Sequence, residues 1–142
     1  MYDFSGYGGK EDLYEEFCRN ELNINLTKDN SKLHDFLDEN GTRIELKKQQ
    51  DANWIDSRKY SDLSDEDRKI IMHFLIYKKG QPDVEIWECN TGDFVDIFYK
   101  DYDKDIASAY YNMVNNHGEQ QKKPIHIKKF IKENNQIFKK IF

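Results

Sequence analysis

Apolar and polar positions change their period several times along the chain, and each change marks an expected element. Over residues 10–22, Leu13, Tyr14, Phe17 and Cys18 fall on one helical face with acids on the other, predicting an amphipathic helix. A short strand is expected at Ile24–Leu26. Residues 32–38 and 42–49 form two arms around a turn and predict a β-hairpin. Residues 51–69 read as an irregular connection anchored by Trp54, with Ser64 as N-cap of a helical turn over Asp65–Lys69. Ile70–Tyr77 (IIMHFLIY) is β-branched and aromatic, which predicts a buried strand carrying His73 as a hydrogen-bonded core residue. KKGQPD is a turn, and Val84–Cys89 returns as an alternating strand.

The C-terminal third reads as helical. Thr91 is expected to cap a short helix over Phe94–Tyr99. Ile106, Ala109, Tyr110, Met113 and Val114 keep helical spacing through 104–116, and Gly118 ends that run. After Pro124, residues 126–142 fit a last helix with Ile127, Phe130, Ile131, Phe138 and Ile141 on one stripe. A helix, a run of strands and further helices imply an α+β or mixed α/β fold, a central mixed β-sheet flanked by helices. At 142 residues the chain has the length of a single domain, 1–142.

Charge changes this picture more than composition does. Net charge is −5, yet residues 122–142 carry seven Lys against Glu133, a balance of +6 that leaves −11 on the first 121. An acidic body with a basic tail fits a polyanion at the tail and cations in the body. The Ile/Phe stripe of that Lys-rich C-terminal helix, 122–142, would serve equally as a homodimer seam. The longest apolar run, Ile70–Tyr77, is too short to span a bilayer, and the N-terminal stretch lacks a signal-peptide pattern. Cys18 and Cys89 lie far apart, as expected of free thiols in a reducing cytoplasm rather than of a zinc site.

The hairpin stretch HDFLDENGTRIELKK, residues 34–48, holds the candidate chemistry. Alternate strand residues share a face, so Glu45 and Lys47 project together while Ile44 and Leu46 point the other way. Two registers are open. A three-residue loop, Glu39-Asn40-Gly41 with Gly41 in the left-handed region, sets Asp35 opposite Glu45. A two-residue Asn40-Gly41 loop sets Asp35 beside Leu46, on the wrong face. In the first register two carboxylates and an ammonium share one patch, with oxygen ligands of the kind Mg²⁺ and Mn²⁺ take. Gln49 continues the Glu45/Lys47 face, placed to hydrogen-bond a metal-bound water or a phosphate. A solvated strand face of alternating charges is the bland alternative.

Asp35 on one strand, a glycine turn, and an apolar-Glu-x-Lys strand after a helix resemble the PD-(D/E)XK nuclease superfamily, with nine residues between Asp35 and Glu45. His34 stands where that motif has its proline. The resemblance covers about residues 8–50, and it implies a restriction-endonuclease-like core and a divalent-metal-dependent endonuclease hydrolysing DNA phosphodiester bonds. It implies metal held by Asp35, Glu45 and the Leu46 backbone carbonyl, with Lys47 as the catalytic amine and Gln49 beside it. By the same analogy an acid of the first helix, Glu11 or alternatively Glu15 or Glu16, joins the ligands. Lys48, Arg58, Lys59, Lys122, Lys123, Lys128 and Lys129 are the expected nucleic-acid contacts. The rival from another class is a non-enzymatic acidic binding protein of inhibitor or immunity type, or a nuclease fold kept for binding alone.

Overall fold

The computed structural model of the chain describes residues 2–4, 10–31, 33–49, 53–56, 63–77, 83–98, 122–125 and 127–142. Helix α1 (Lys10–Glu21) leads into strands β1 (Thr27–Lys28), β2 (Phe36–Leu37), β3 (Arg43–Gln49) and β4 (Asn53–Asp56). A 3₁₀ turn (Asp67–Lys69) precedes β5 (Ile71–Tyr77), β6 (Val84–Asn90) and helix α2 (Thr91–Phe98). Strand β7 (Lys122–Ile125), helix α3 (Ile127–Glu133), a second 3₁₀ turn (Asn135–Ile137) and β8 (Lys139–Lys140) complete the described chain.

Six strands form one mixed sheet in the order β1-β2-β3-β5-β6-β8, and the fold is α+β. Among the described strands only the β3–β5 pair is parallel, with Ile44 beside Ile71 and Glu45 beside Met72. A parallel pair needs a crossover, which residues 50–70 supply. Two arginines fasten the described end of that crossover. The Arg43 guanidinium donates to Asp67 Oδ1 and to the Glu66 carbonyl, at 3.2 and 2.7 Å. Arg68 forks onto both Asp96 oxygens of α2, at 3.1 and 2.8 Å. It lies so close over Gly92 that a Cβ there would meet it at 3.1 Å.

Because side chains alternate across a strand, each sheet face collects its own core. On one face α1 sets Tyr14, Phe17 and Cys18 against Phe36, Ile44, Leu46, Leu75 and Ile86. On the other, Phe94, Val95 and Phe98 of α2 and Ile127 and Ile131 of α3 cover Met72, Phe74, Ile76 and Cys89. Burial of that apolar area is the main stabilising term of the fold.

Several expectations are corrected in detail. The strand expected at Ile24–Leu26 forms at Thr27–Lys28, where β2 offers its partners. The connection 51–69 is not wholly irregular, since β4 within it pairs with β7 as a separate two-stranded sheet. Ser64 does cap a turn, its hydroxyl accepting the Asp67 amide at 3.1 Å, although the regular part starts only at Asp67. Helix α2 begins at Thr91 rather than being capped by it. The Asn90 side chain caps instead, accepting the Asp93 amide at 3.3 Å, while Thr91 Oγ1 is buried with no partner among the described residues.

The single helix expected over 122–142 is four elements. Asn134 and Asn135 break it after Glu133, the Asn134 side chain donating to the Phe130 carbonyl at 2.9 Å and diverting the local backbone. The apolar stripe divides accordingly: Ile127, Ile131 and Phe138 enter one core and Ile141 packs against the other. Buried within its own chain, that stripe is not a free dimer seam. The helix expected at 104–116, most of the KKGQPD turn, Trp54's side chain and His117 and His126 lie outside the described residues. No helix among the described residues is long and apolar enough to cross a membrane. Cys18 and Cys89 are free and buried, and burial pushes the Cys18 thiol up to about 11.

Candidate metal-binding site at the edge of β3

The hairpin adopts the three-residue loop. Phe36 pairs with Ile44 and Leu37 with Arg43, and Gly41 takes φ +77° at the third loop position. Asp38 stabilises the turn, its Oδ1 accepting the amides of Asn40 and Thr42 at 2.9 and 2.8 Å.

The regular ladder ends one rung further on. In that register the next pair, Asp35–Glu45, makes no ladder bonds, and the next hydrogen-bonded rung would set His34 opposite Leu46. Instead, the Asp35 amide donates to the Ile44 carbonyl at 2.8 Å, and the Asp35 carboxylate accepts the Leu46 amide through Oδ2 at 2.8 Å. A side chain thus occupies a backbone rung. The His34 carbonyl, released from the ladder, accepts the Ser31 amide at 2.8 Å. Asp35 is therefore not simply opposite Glu45 in a flat hairpin; its carboxylate lies at the edge of β3, beside the residue between Glu45 and Lys47.

Leu46 turns its amide toward that edge, and in an extended strand the carbonyl of the same residue points the same way. The Asp35 carboxylate and the Leu46 carbonyl therefore share one edge. Glu45 and Lys47 project from the adjoining sheet face, on the side of their β5 neighbours Met72 and Phe74. Glu45 is 5% exposed. Its Oε1 lies 3.6 Å from Lys47 Nζ, so a carboxylate taken out of water keeps a compensating cation.

Carboxylate and carbonyl oxygens are hard donors, and this set fits Mg²⁺ or Mn²⁺ by chemistry. The Asp35 Oδ1 oxygen makes no hydrogen bond to another described residue, which leaves it available as a ligand. Among the described residues no group of three or more His, Cys, Asp or Glu side chains is arranged to hold a metal. Glu11 does not join the set. It stands on α1, whose apolar residues pack on the Ile44/Leu46 face, opposite the face that carries Glu45. It lies instead within the electrostatic field of Lys28, which is paired to Asp12. Glu15, also within the field of Lys28, and Glu16, exposed on the same helix, are likewise on that side.

Of the remaining candidates, Lys48 lies over the Tyr77 ring at 5.2 Å on the α1 side. Lys128 and Lys129 are exposed on α3. Arg58 and Lys59, and the side chains of Gln49, Lys122 and Lys123, lie outside the described residues.

Two histidines are held in hydrogen-bonded networks. His73 is a satisfied core residue, as expected: Nδ1 meets the Tyr14 hydroxyl at 2.7 Å and Nε2 meets Glu88 Oε2 at 3.3 Å. The His73 hydrogen bond holds the Glu88 carboxyl below the usual carboxylate range, and burial raises the Tyr14 phenol. His34 is buried too, with Nδ1 at 2.7 Å from Ser31 Oγ and Nε2 at 2.9 Å from Asp29 Oδ2. A serine three residues ahead of a histidine was the only sign of that second network. No protein-family model matches the chain, and no curated protein matches it.

Proposed function

We propose that the chain is a divalent-metal-dependent endonuclease with a restriction-endonuclease-like core, hydrolysing DNA phosphodiester bonds in the cytoplasm. The observation that carries this reading is the Asp35 carboxylate at 2.8 Å from the Leu46 amide, which sets it at the strand edge between the positions of the buried Glu45 and its Lys47 partner. Asp35, Glu45 and the Leu46 carbonyl would hold the ion. When bound, Mg²⁺ or Mn²⁺ supplies Lewis-acid polarisation of the phosphoryl oxygen and a more acidic water. Lys47 orients that water and offsets the negative charge that grows on the phosphate as the bond to the leaving oxygen breaks.

Substrate binding falls to the lysines. Lys128, Lys129 and Lys132 are exposed on α3, which packs on the same sheet face that carries Glu45 and Lys47. Phosphate contacts from these residues make binding weaken steeply with salt.

Lys47→Gln is the test. With Mg²⁺ and duplex or single-stranded DNA, wild type cleaves and the variant loses cleavage while its circular dichroism spectrum is retained. Undiminished cleavage in a folded Lys47→Gln protein contradicts the assigned mechanism. A second reading, binding without catalysis, is favoured by the exposed acids Asp12, Glu16 and Glu21 on α1 and by the mutual neutralisation of Glu45 and Lys47. It predicts no cleavage by wild type with either metal.

A further inference from the structure

Between Asp29 and Asp35 the described residues are joined to one another by several hydrogen bonds. The Asp29 amide donates to the Asp35 carbonyl at 2.9 Å, and the Ser31 amide to the His34 carbonyl at 2.8 Å. Ser31 Oγ accepts the amides of Leu33 and His34 at 3.2 and 3.3 Å. With both lone pairs so engaged, the hydroxyl directs its single proton at His34 Nδ1, 2.7 Å away. That contact places the ring proton on Nε2, where it donates to Asp29 Oδ2 at 2.9 Å. The imidazole, 6% exposed, is thereby a cross-brace tying both ends of the loop.

The brace has a geometric consequence one residue along. His34 cannot occupy the ladder rung opposite Leu46, because its carbonyl and ring are both committed to the loop. Asp35 therefore takes that rung with its carboxylate. Moving the His34 backbone back into the ladder would return its carbonyl to the Leu46 amide and displace Asp35 from the edge.

We propose that His34 is a positioning residue for Asp35: bridging Ser31 and Asp29, its imidazole holds the chain out of the β-ladder, so that the Asp35 carboxylate is delivered to the β3 edge beside the Leu46 carbonyl. The inference rests on the reading of Asp35 as a metal ligand and assigns the reason for its placement. His34 itself touches neither metal nor substrate. Partners that orient metal ligands govern affinity by about 10–100-fold.

Calorimetric titration of Mn²⁺ into the full-length protein, alongside cleavage assays, tests this. His34→Ala is expected to weaken Mn²⁺ binding by about 10–100-fold. The Mn²⁺ concentration for half-maximal cleavage should rise by the same factor, while the rate at saturating Mn²⁺ and the KM for DNA stay unchanged. His34→Gln, whose amide can still donate to Asp29, should recover most of the affinity. Should His34→Ala fail to fold, Ser31→Ala removes the Nδ1 partner with His34 in place and is expected to weaken Mn²⁺ binding in the same direction. Wild-type Mn²⁺ affinity in folded His34→Ala or Ser31→Ala, with binding abolished by Asp35→Asn, overturns the positioning role and spares the proposed function. Absence of Mn²⁺ binding by the wild-type protein in the presence of DNA overturns both.

Discussion

The two faces of β3 show one strand meeting two different demands. Ile44 and Leu46 face α1 and are closed among Tyr14, Phe17 and Leu75. Polar groups on that face, Tyr14, His73 and Glu88, satisfy one another in a chain of hydrogen bonds. Glu45 and Lys47 face the opposite way, and there the buried Glu45 carboxylate lies 3.6 Å from the Lys47 ammonium. Alternation lets a single seven-residue strand spend even positions on packing and odd positions on chemistry. Polar residues in the first setting serve the fold by bonding to one another; in the second, hard oxygen donors gather at the strand edge beside a buried ion pair, which makes it a candidate site.

The largest expected effect separates the faces. Leu46→Ala should lower unfolding stability by about 2–5 kcal/mol, measured by urea denaturation, because it opens a cavity against α1. Mn²⁺ affinity of the folded variant should not change, since the Leu46 backbone remains; a lost metal site would dissolve the distinction between faces. Lys47→Gln is the reciprocal case. It should reduce metal-dependent cleavage by about 10²–10³-fold, the usual consequence of removing one group that stabilises developing charge. Because it strips the buried Glu45 of a compensating cation, it should also lower the urea midpoint, so cleavage is compared on the folded variant.

The closed face also carries a pH signature. Glu88 has its carboxyl lowered in the folded state, first by the His73 hydrogen bond. A lowered folded value means stability that is present above the unfolded value, about 4.3, and lost as pH falls through the folded one. Glu88→Gln should therefore be less stable than wild type near neutrality, with the two stability curves converging under acid. Parallel curves at every pH would show that His73 and Glu88 are not coupled in the folded protein. The smallest effect concerns Thr91, whose buried hydroxyl has no partner among the described residues. Thr91→Val should be neutral or raise stability by up to about 1 kcal/mol in thermal unfolding, since it removes an unsatisfied polar atom without changing shape.

What the amino-acid order revealed, and what it hid, follows from the range of each interaction. Helix α1 was legible because Leu13, Tyr14, Phe17 and Cys18 repeat at helical spacing against one sheet face. The hairpin register was legible because an even separation of Asp35 and Glu45 demands an odd loop, and Gly41 suits its third position. The displacement of Asp35 onto a backbone rung was not, because it depends on His34 being held by Ser31 and Asp29. Nor was the split of 122–142. Its apolar spacing stays helical through Ile141, while Asn134, Asn135 and pairing of β8 with β6 decide otherwise. Glu11 shows the same limit at longer range: which sheet face a helix covers is a tertiary fact that helical periodicity does not contain.

The most direct measurement is anomalous diffraction from crystals of the full-length protein grown with Mn²⁺. The account predicts a Mn²⁺ peak ligated by Asp35, Glu45 and the Leu46 carbonyl, absent from crystals of Asp35→Asn. A wild-type peak bound only by the acids of α1, or no peak at the edge of β3 with Mn²⁺ in excess, would contradict it.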